Sequence, residues 1–280
     1  MDRTEDTVAP SADRLLVRYR VRSDAGRIEA RAAALALEQS VEMPAEAITD
    51  QAIRANVPGR VEGIRALPRE APATAVPGDD TAVFEVEISL AAGTVGDEPG
   101  QLLNMLFGNC SLQDDVRLVD ARLPDSLLAA LPGPAFGIDG LRAACGAGAR
   151  PLSCTALKPQ GMTPRALAEL AGRFARAGID VIKDDHGIAG QAVAPFEERV
   201  PAVQRAIDAA NRATGGRTVY APNLSGGPAR LAAQLRVARD AGVGALLACP
   251  MILGVPVFAE LLRSEAGVPL IAHPALAGTA

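Results

Sequence analysis

A chain of 280 residues, 49% of them hydrophobic, is long enough for one or two domains with cores of their own. Its formal net charge of −5 and its arginines scattered among acids exclude the basic surface that a nucleic-acid or acidic-membrane partner needs. No apolar run reaches spanning length and the acidic amino terminus has no signal-peptide core, which predicts a cytoplasmic protein.

Residues 1–12 are polar and read as a disordered terminus. Alternation over Arg14–Arg22 predicts a strand, and the spacing of Ile28, Ala32, Leu35 and Leu37 predicts a helix over about 25–39. Strands at Val61–Leu67 and Thr81–Leu90 flank a Pro/Gly/Asp-rich turn at 68–80; a helix at 100–107 and a strand at Val116–Arg122 follow. Strands interspersed with two helices predict an α+β domain over 13–130, most simply a split βαβ, ferredoxin-like arrangement. Pro132, Gly133, Pro134 and Gly137 mark a linker over 131–150.

From Pro151 the rhythm becomes strictly alternating. Strand ends fall near Lys158, Lys183, Asn223, Pro250 and His273, with helical patterns at 166–178, 196–213, 228–242 and 257–267 between them. Repeated βα units with polar and ionisable residues at the carboxyl ends of the strands predict an α/β domain over 151–280. The pattern is that of a (β/α)8 TIM barrel of which about five strands are present.

Of the 28 Lys and Arg residues only Lys158 and Lys183 are lysines, and His186 and His273 are the only histidines. All four stand at or just past predicted strand ends. Arginine is fixed in charge, whereas lysine can lose its proton and react, so chemistry is the expected reason for keeping these two. Taken alone, Asp184 reads as a helix-capping or salt-bridging acid, and His186 as a loop turn or a metal ligand. Asn109–Cys110 reads as turn chemistry. Gly226–Gly227 is either a plain loop or a source of backbone amides for an anion. The four cysteines, at 110, 145, 154 and 249, lack the spacing of a zinc site or a disulfide framework.

Seven stretches together resemble the RuBisCO large-subunit superfamily, and more closely its RuBisCO-like branch (form IV). They are ALALEQS at 34–40, LFGNCSL at 106–112, LPGPAFGIDGLRA at 131–143, TALKPQGM at 155–162, GIDVIKDDHG at 178–187, YAPNLSGG at 220–227 and IAH at 271–273. The resemblance implies an amino-terminal α+β domain, a carboxyl-terminal barrel, and a homodimer with active sites shared across the subunit interface. It also implies Mg2+, or another divalent metal, held by a lysine carbamylated with CO2 and by acidic residues. Carried onto this chain, Lys158 acts on protons beside the substrate carbonyl, Lys183 is the carbamylated lysine, and Asp185 is a metal ligand, with His186 in the third ligand's place. Glu38 and Asn109 resemble amino-domain residues that reach the partner's site; Gln160, Asn223 and His273 fall at substrate-contacting positions.

The departures redirect the function. His186 stands where the carboxylases have a glutamate, Gln160 replaces a lysine, Met43–Pro44 replace a Thr–Trp pair, and Pro274 replaces an arginine. Each removes a charge or donor that would grip a bisphosphate. The expectation is therefore enolisation of a small sugar-derived keto compound by an isomerase, tautomerase or 3-oxo acid decarboxylase type of reaction, not carboxylation of ribulose bisphosphate. A Schiff-base lyase using Lys158 or Lys183 is an alternative. A further one is an inactive truncated fragment, since the resemblance implies three more βα units than the sequence holds.

Overall fold

The computed structural model describes residues 13–68, 82–264 and 267–278. The expectations for residues 1–12 and for most of the turn at 68–80 lie outside the described residues. Contacts divide the chain into two compact units, with the boundary between Leu131 and Pro132.

The first unit runs β1 (Arg14–Ser23), α1 (Ile28–Glu38), α2 (Gln51–Asn56), β2 (Arg60–Ala66), β3 (Ala82–Ala91), α3 (Pro99–Phe107), β4 (Val116–Arg122) and α4 (Asp125–Ala130). Its four strands lie in the order β2-β3-β1-β4, every pairing antiparallel, which is the ferredoxin-like order. Alternation along β1 sends Leu15, Val17, Tyr19 and Val21 into one core with Ala32 and Leu35 of α1 and Leu102 and Leu106 of α3. Full burial of each such leucine or valine contributes on the order of 1.5–3 kcal/mol. The other face of β1 carries Arg14, Arg18, Arg20 and Arg22; Arg18 pairs with Glu85 of β3 and Asp120 of β4, and beside them Arg122 of β4 pairs with Glu87 of β3. The short helices α2 and α4, six residues each, were not expected from the sequence.

The second unit holds α5 (Gly137–Cys145), β5 (Cys154–Leu157), α6 (Pro164–Arg176), β6 (Val181–Asp184), α7 (Phe196–Thr214), β7 (Val219–Ala221), β8 (Asn223–Leu224), α8 (Pro228–Ala241), β9 (Leu246–Ala248), α9 (Pro250–Leu253), α10 (Val255–Arg263) and β10 (Leu270–Ala272). The stretch expected as a linker, 131–150, thus contains a helix, closed by Gly146 in the left-handed region that a residue without Cβ adopts freely. All strand pairings are parallel: β5-β6-β7 form one set and β8-β9-β10 the next. The expected third strand is broken at Pro222, which has no N–H to give to a neighbour. The result is an arc of five strand positions in chain order, the barrel pattern, with two cores. Leu157, Ile182, Tyr220 and Leu246 meet the helices, while Val181, Ala221, Ala245 and Leu247 line the inner face with Ile271 against them.

Candidate active site

Leu157 and Ile182 point to the helices and Val181 and Ile271 to the inner face, so strand alternation puts Lys158, Lys183, Asp185 and His273 on the inner side at the carboxyl ends. Lys158 Nζ lies 2.7 Å from Asp185 Oδ2, and Asp185 Oδ1 accepts the Gly187 N–H at 2.9 Å. Burial pushes the Asp185 carboxyl up. The Lys158 hydrogen bond, the Gly187 N–H and the Lys158 and His186 charges outweigh it and bring the group down to about 2. Gln160 lies over Gly187, where a Cβ would run into the Gln160 amide. The Lys158–Pro159 peptide is cis.

The rings of His186 and His273 stack with centroids 4.1 Å apart and planes 21° from parallel. His273 Nδ1 accepts the Ala275 N–H at 3.1 Å, which leaves the proton of the neutral ring on Nε2. Burial first, and then the His186 and Lys183 charges, lower the His273 pKa against the opposing pull of Asp185. The inner end of the arc therefore carries an imidazole whose Nε2 is left as a donor, near the Lys158–Asp185 pair. Those are a proton carrier and a hydrogen-bond donor in one place.

Asp184 faces the other way and is wholly buried. It accepts from the Tyr220 hydroxyl at 2.8 Å, the Asn223 N–H at 2.9 Å and Arg199 Nη2 at 3.1 Å. Burial pushes its carboxyl up, and the Arg199 charge opposes the rise. The salt-bridging alternative for Asp184 holds and the capping one does not. Asn223 is 2% exposed and spends both amide hydrogens on the carbonyls of His186 and Ile188, at 3.0 and 3.1 Å. These two hydrogen bonds brace the loop after β6. In the first unit, Asn109 Nδ2 donates to Glu38 Oε1 at 3.1 Å. Gln39 sets this pair by donating to the Met105 carbonyl at 2.7 Å and accepting the Cys110 N–H at 3.3 Å.

The sequence reading missed Gln39, Tyr220 and Arg199. Arg199 had a signal: Phe196, Val200, Val203 and Ile207 form the buried stripe of α7, and Arg199 lies on that stripe by spacing. The four cysteines are free thiols.

Among the described residues no three His, Cys, Asp or Glu side chains converge to hold a metal ion. His186 Nδ1 is 3.9 Å from Asp185 Oδ1, and its ring lies on His273. Lys183 can supply what is missing. Its amine donates only at long range, 3.3 Å, to the Asp184 carbonyl, and a carbamate there would add an anionic oxygen on the face of Asp185. Carboxylate and carbamate oxygens suit a hard divalent ion, so on that condition the residues fit one. A cavity of about 530 Å³ along β10, lined by Phe136, Leu141, Phe258, Leu262 and Ile271 among others, has no titratable side chain among its described lining residues.

A ferredoxin-like unit followed by parallel βα units with lysine, acid and imidazole at the carboxyl ends of the strands defines a chain of the (β/α)8 barrel class. The profile of the family described as "Ribulose bisphosphate carboxylase large chain, catalytic domain" matches residues 137–278. The chain is 50% identical over 267 residues to "5-methylthioribulose-1-phosphate isomerase" of Rhodospirillum rubrum, covering 95% of this chain and 68% of that protein. It is 38% identical over 181 residues to "2,3-diketo-5-methylthiopentyl-1-phosphate enolase" of Geobacillus kaustophilus, covering 63% and 43% of the two chains. A crystal structure of a RuBisCO-like protein from Rhodopseudomonas palustris superposes with a TM-score of 0.82 at 49% identity, covering 94% of this chain and 70% of that one. The chain belongs to the ribulose bisphosphate carboxylase large-chain family, in its RuBisCO-like branch. It spans about two thirds of the length of the R. rubrum and R. palustris relatives.

Proposed function

We propose that the chain acts as an enolising isomerase on a phosphorylated 5-methylthio sugar, 5-methylthioribulose 1-phosphate in the first place. The observation that carries this reading is the Lys158–Asp185 contact at the strand ends, with His273 stacked on the neighbouring His186, in a chain half identical to an isomerase so named. Isomerisation of a ketose moves a proton off a carbon beside the carbonyl and returns one to the neighbouring carbon. Lys158 carries that proton, and Asp185 fixes the ammonium where it is needed. His273, neutral through its lowered pKa, donates from Nε2 to a substrate oxygen as negative charge develops there. Gln160, packed over Gly187, and the Glu38–Asn109 pair complete the substrate contacts, the pair acting in the partner's site of a homodimer.

Asp185 and a carbamylated Lys183 would hold a divalent cation, magnesium by the resemblance, and a cation there supplies polarisation of the substrate carbonyl. The enolase reading, from the second relative, passes through the same kind of intermediate and differs only in where the proton returns. The Schiff-base alternative needs the amine of Lys158 or Lys183 to attack a carbonyl directly, a reaction that neither relative's name carries. The test is turnover in D2O by the full-length protein. Deuterium appearing at the carbon beside the carbonyl of 5-methylthioribulose 1-phosphate, followed by NMR, is the expected result; an unlabelled, unconverted substrate would end the proposal.

A further inference from the structure

The loop that follows β6, residues 185–194, carries Asp185 and His186, yet its own backbone supplies few of the contacts that shape it. Its carbonyls are captured one after another by side chains, most of them from outside the loop. Asn223 takes those of His186 and Ile188, and Gln191 takes that of Gly187 at 2.6 Å. Arg199 takes those of Ala189 at 3.3 Å and Ala194 at 2.8 Å, while its second terminal nitrogen holds Asp184 at 3.1 Å. Both members of that ion pair are 0% exposed.

We infer that Arg199 is a positioning residue of the site: from α7, without touching the inner face, it fixes the end of β6 and the far part of the loop, and so sets where Asp185 and His186 stand. Three features support this over plain packing. A guanidinium presents a planar fork of donors that can serve three oxygens at once, and no other side chain of that size can. The network is continuous, since Asp184 is shared by Arg199, Tyr220 and the Asn223 N–H, and Asn223 then reaches the His186 carbonyl. The arrangement is also a costly way to fill space. Arg199 Nε is buried with no hydrogen-bond partner, and a buried ion pair is often no more stabilising than apolar residues of the same volume. Fixing one geometry explains its presence where stability does not. The stacking of the Arg199 guanidinium 5.3 Å over the Phe196 ring completes its confinement.

This inference rests on the isomerase reading for its rate measurement only. In the full-length protein, Arg199→Lys keeps a positive charge beside Asp184 but loses the fork. The expected result is a protein with wild-type circular dichroism whose amides at 186–194 exchange about tenfold faster or more, since the loop opens locally. Its kcat on 5-methylthioribulose 1-phosphate falls on the order of 100-fold, with a smaller change in KM, the scale of a misplacement of about 1 Å. Should Arg199→Lys fail to fold, Asn223→Ser removes the donors to the His186 and Ile188 carbonyls and is read by the same two measurements. Unchanged loop exchange in a folded variant overturns the inference, and so does faster exchange with undiminished kcat. A wild-type protein inert towards that substrate sinks the isomerase reading instead. Loop exchange, which needs no substrate, then decides the inference alone, acceleration supporting it and its absence overturning it.

Discussion

The two units handle the same chemical pair, arginine with carboxylate, in opposite ways. On the outer face of the amino-terminal sheet the pairs sit in rows across strands, open to water: Arg122 Nη2 is 2.9 Å from Glu87 Oε1, and Arg65 Nη2 is 2.7 Å from Glu85 Oε1, both arginine side chains about two thirds exposed. In the barrel unit two such acids are taken inside, Asp184 fully buried with Arg199 and Asp180 5% exposed beneath Arg150, while helix-surface pairs such as Arg165–Glu169 stay open to water. In water the attraction is screened and ordering two long side chains offsets it. In the interior the charges are already desolvated, so what matters is that no partner goes missing. The first arrangement keeps a sheet face hydrated; the second fixes shape next to chemistry.

That contrast orders the expected effects. Lys158→Met removes the proposed proton carrier from a side chain that is 65% exposed, so the fold should survive while kcat/KM falls by about 10²–10⁴-fold. Steady-state kinetics on the full-length protein check this, and near wild-type turnover would remove Lys158 from the mechanism. Asp184→Ala leaves Arg199 buried without its counter-ion, and the expected loss is about 3–5 kcal/mol in urea unfolding. A loss under about 1 kcal/mol would mean that water reaches the pair and that the buried side of the comparison is wrongly drawn.

The inner-face residues were legible because they are rare. Two lysines and two histidines at strand ends cannot be mistaken for surface filling, and strand period then fixes their direction. The strand positions followed from apolar runs bounded by Gly and Pro. What sequence could not show is which polar strand-end residue faces substrate and which faces the helices. Asn223 ends a strand, and the proline before it breaks β7 from β8; its N–H turns onto Asp184 and its amide onto the His186 and Ile188 carbonyls, contacts that no spacing announces. Helix α5 was hidden by the glycines at 137 and 140 and by its Pro-rich lead-in, and α2 and α4 are too short for periodicity to register. Arg199 was one arginine among many, and only its place on an apolar stripe marked it.

Asp180 tests an intermediate case. Its carboxylate receives Arg150 at 2.7 and 2.5 Å and the Ser153 N–H and hydroxyl at 2.8 and 2.9 Å, tying the lead-in of β5 to that of β6. The Arg150 hydrogen bond, against burial and with help from Ser153, holds its carboxyl far below the usual range. A depressed folded value means that the unfolded chain binds the proton more readily, so this stabilisation is complete above an ordinary carboxylate pKa of about 4 and drains away below it. Asp180→Asn should cost about 1–3 kcal/mol near neutrality, and the gap to wild type in urea midpoint should narrow between about pH 5 and pH 3. A gap independent of pH would mean that packing, not charge, ties the two strands.

The smallest effect belongs to the solvent-facing row. Arg122→Ala removes an ion pair from an edge-strand position whose arginine is 65% exposed and whose glutamate is 31% exposed. The two ions are separated from bulk water by little, and the interaction is one cross-strand contact among several, so the expected change is about 0–1 kcal/mol. Urea midpoints at low and high salt separate the possibilities. A small loss that shrinks further in salt is the behaviour of a hydrated pair. A loss above about 2 kcal/mol, insensitive to salt, would show that this face is covered in the working protein, and the row of arginines and acids would then belong with Asp184 and Arg199 among the buried charges.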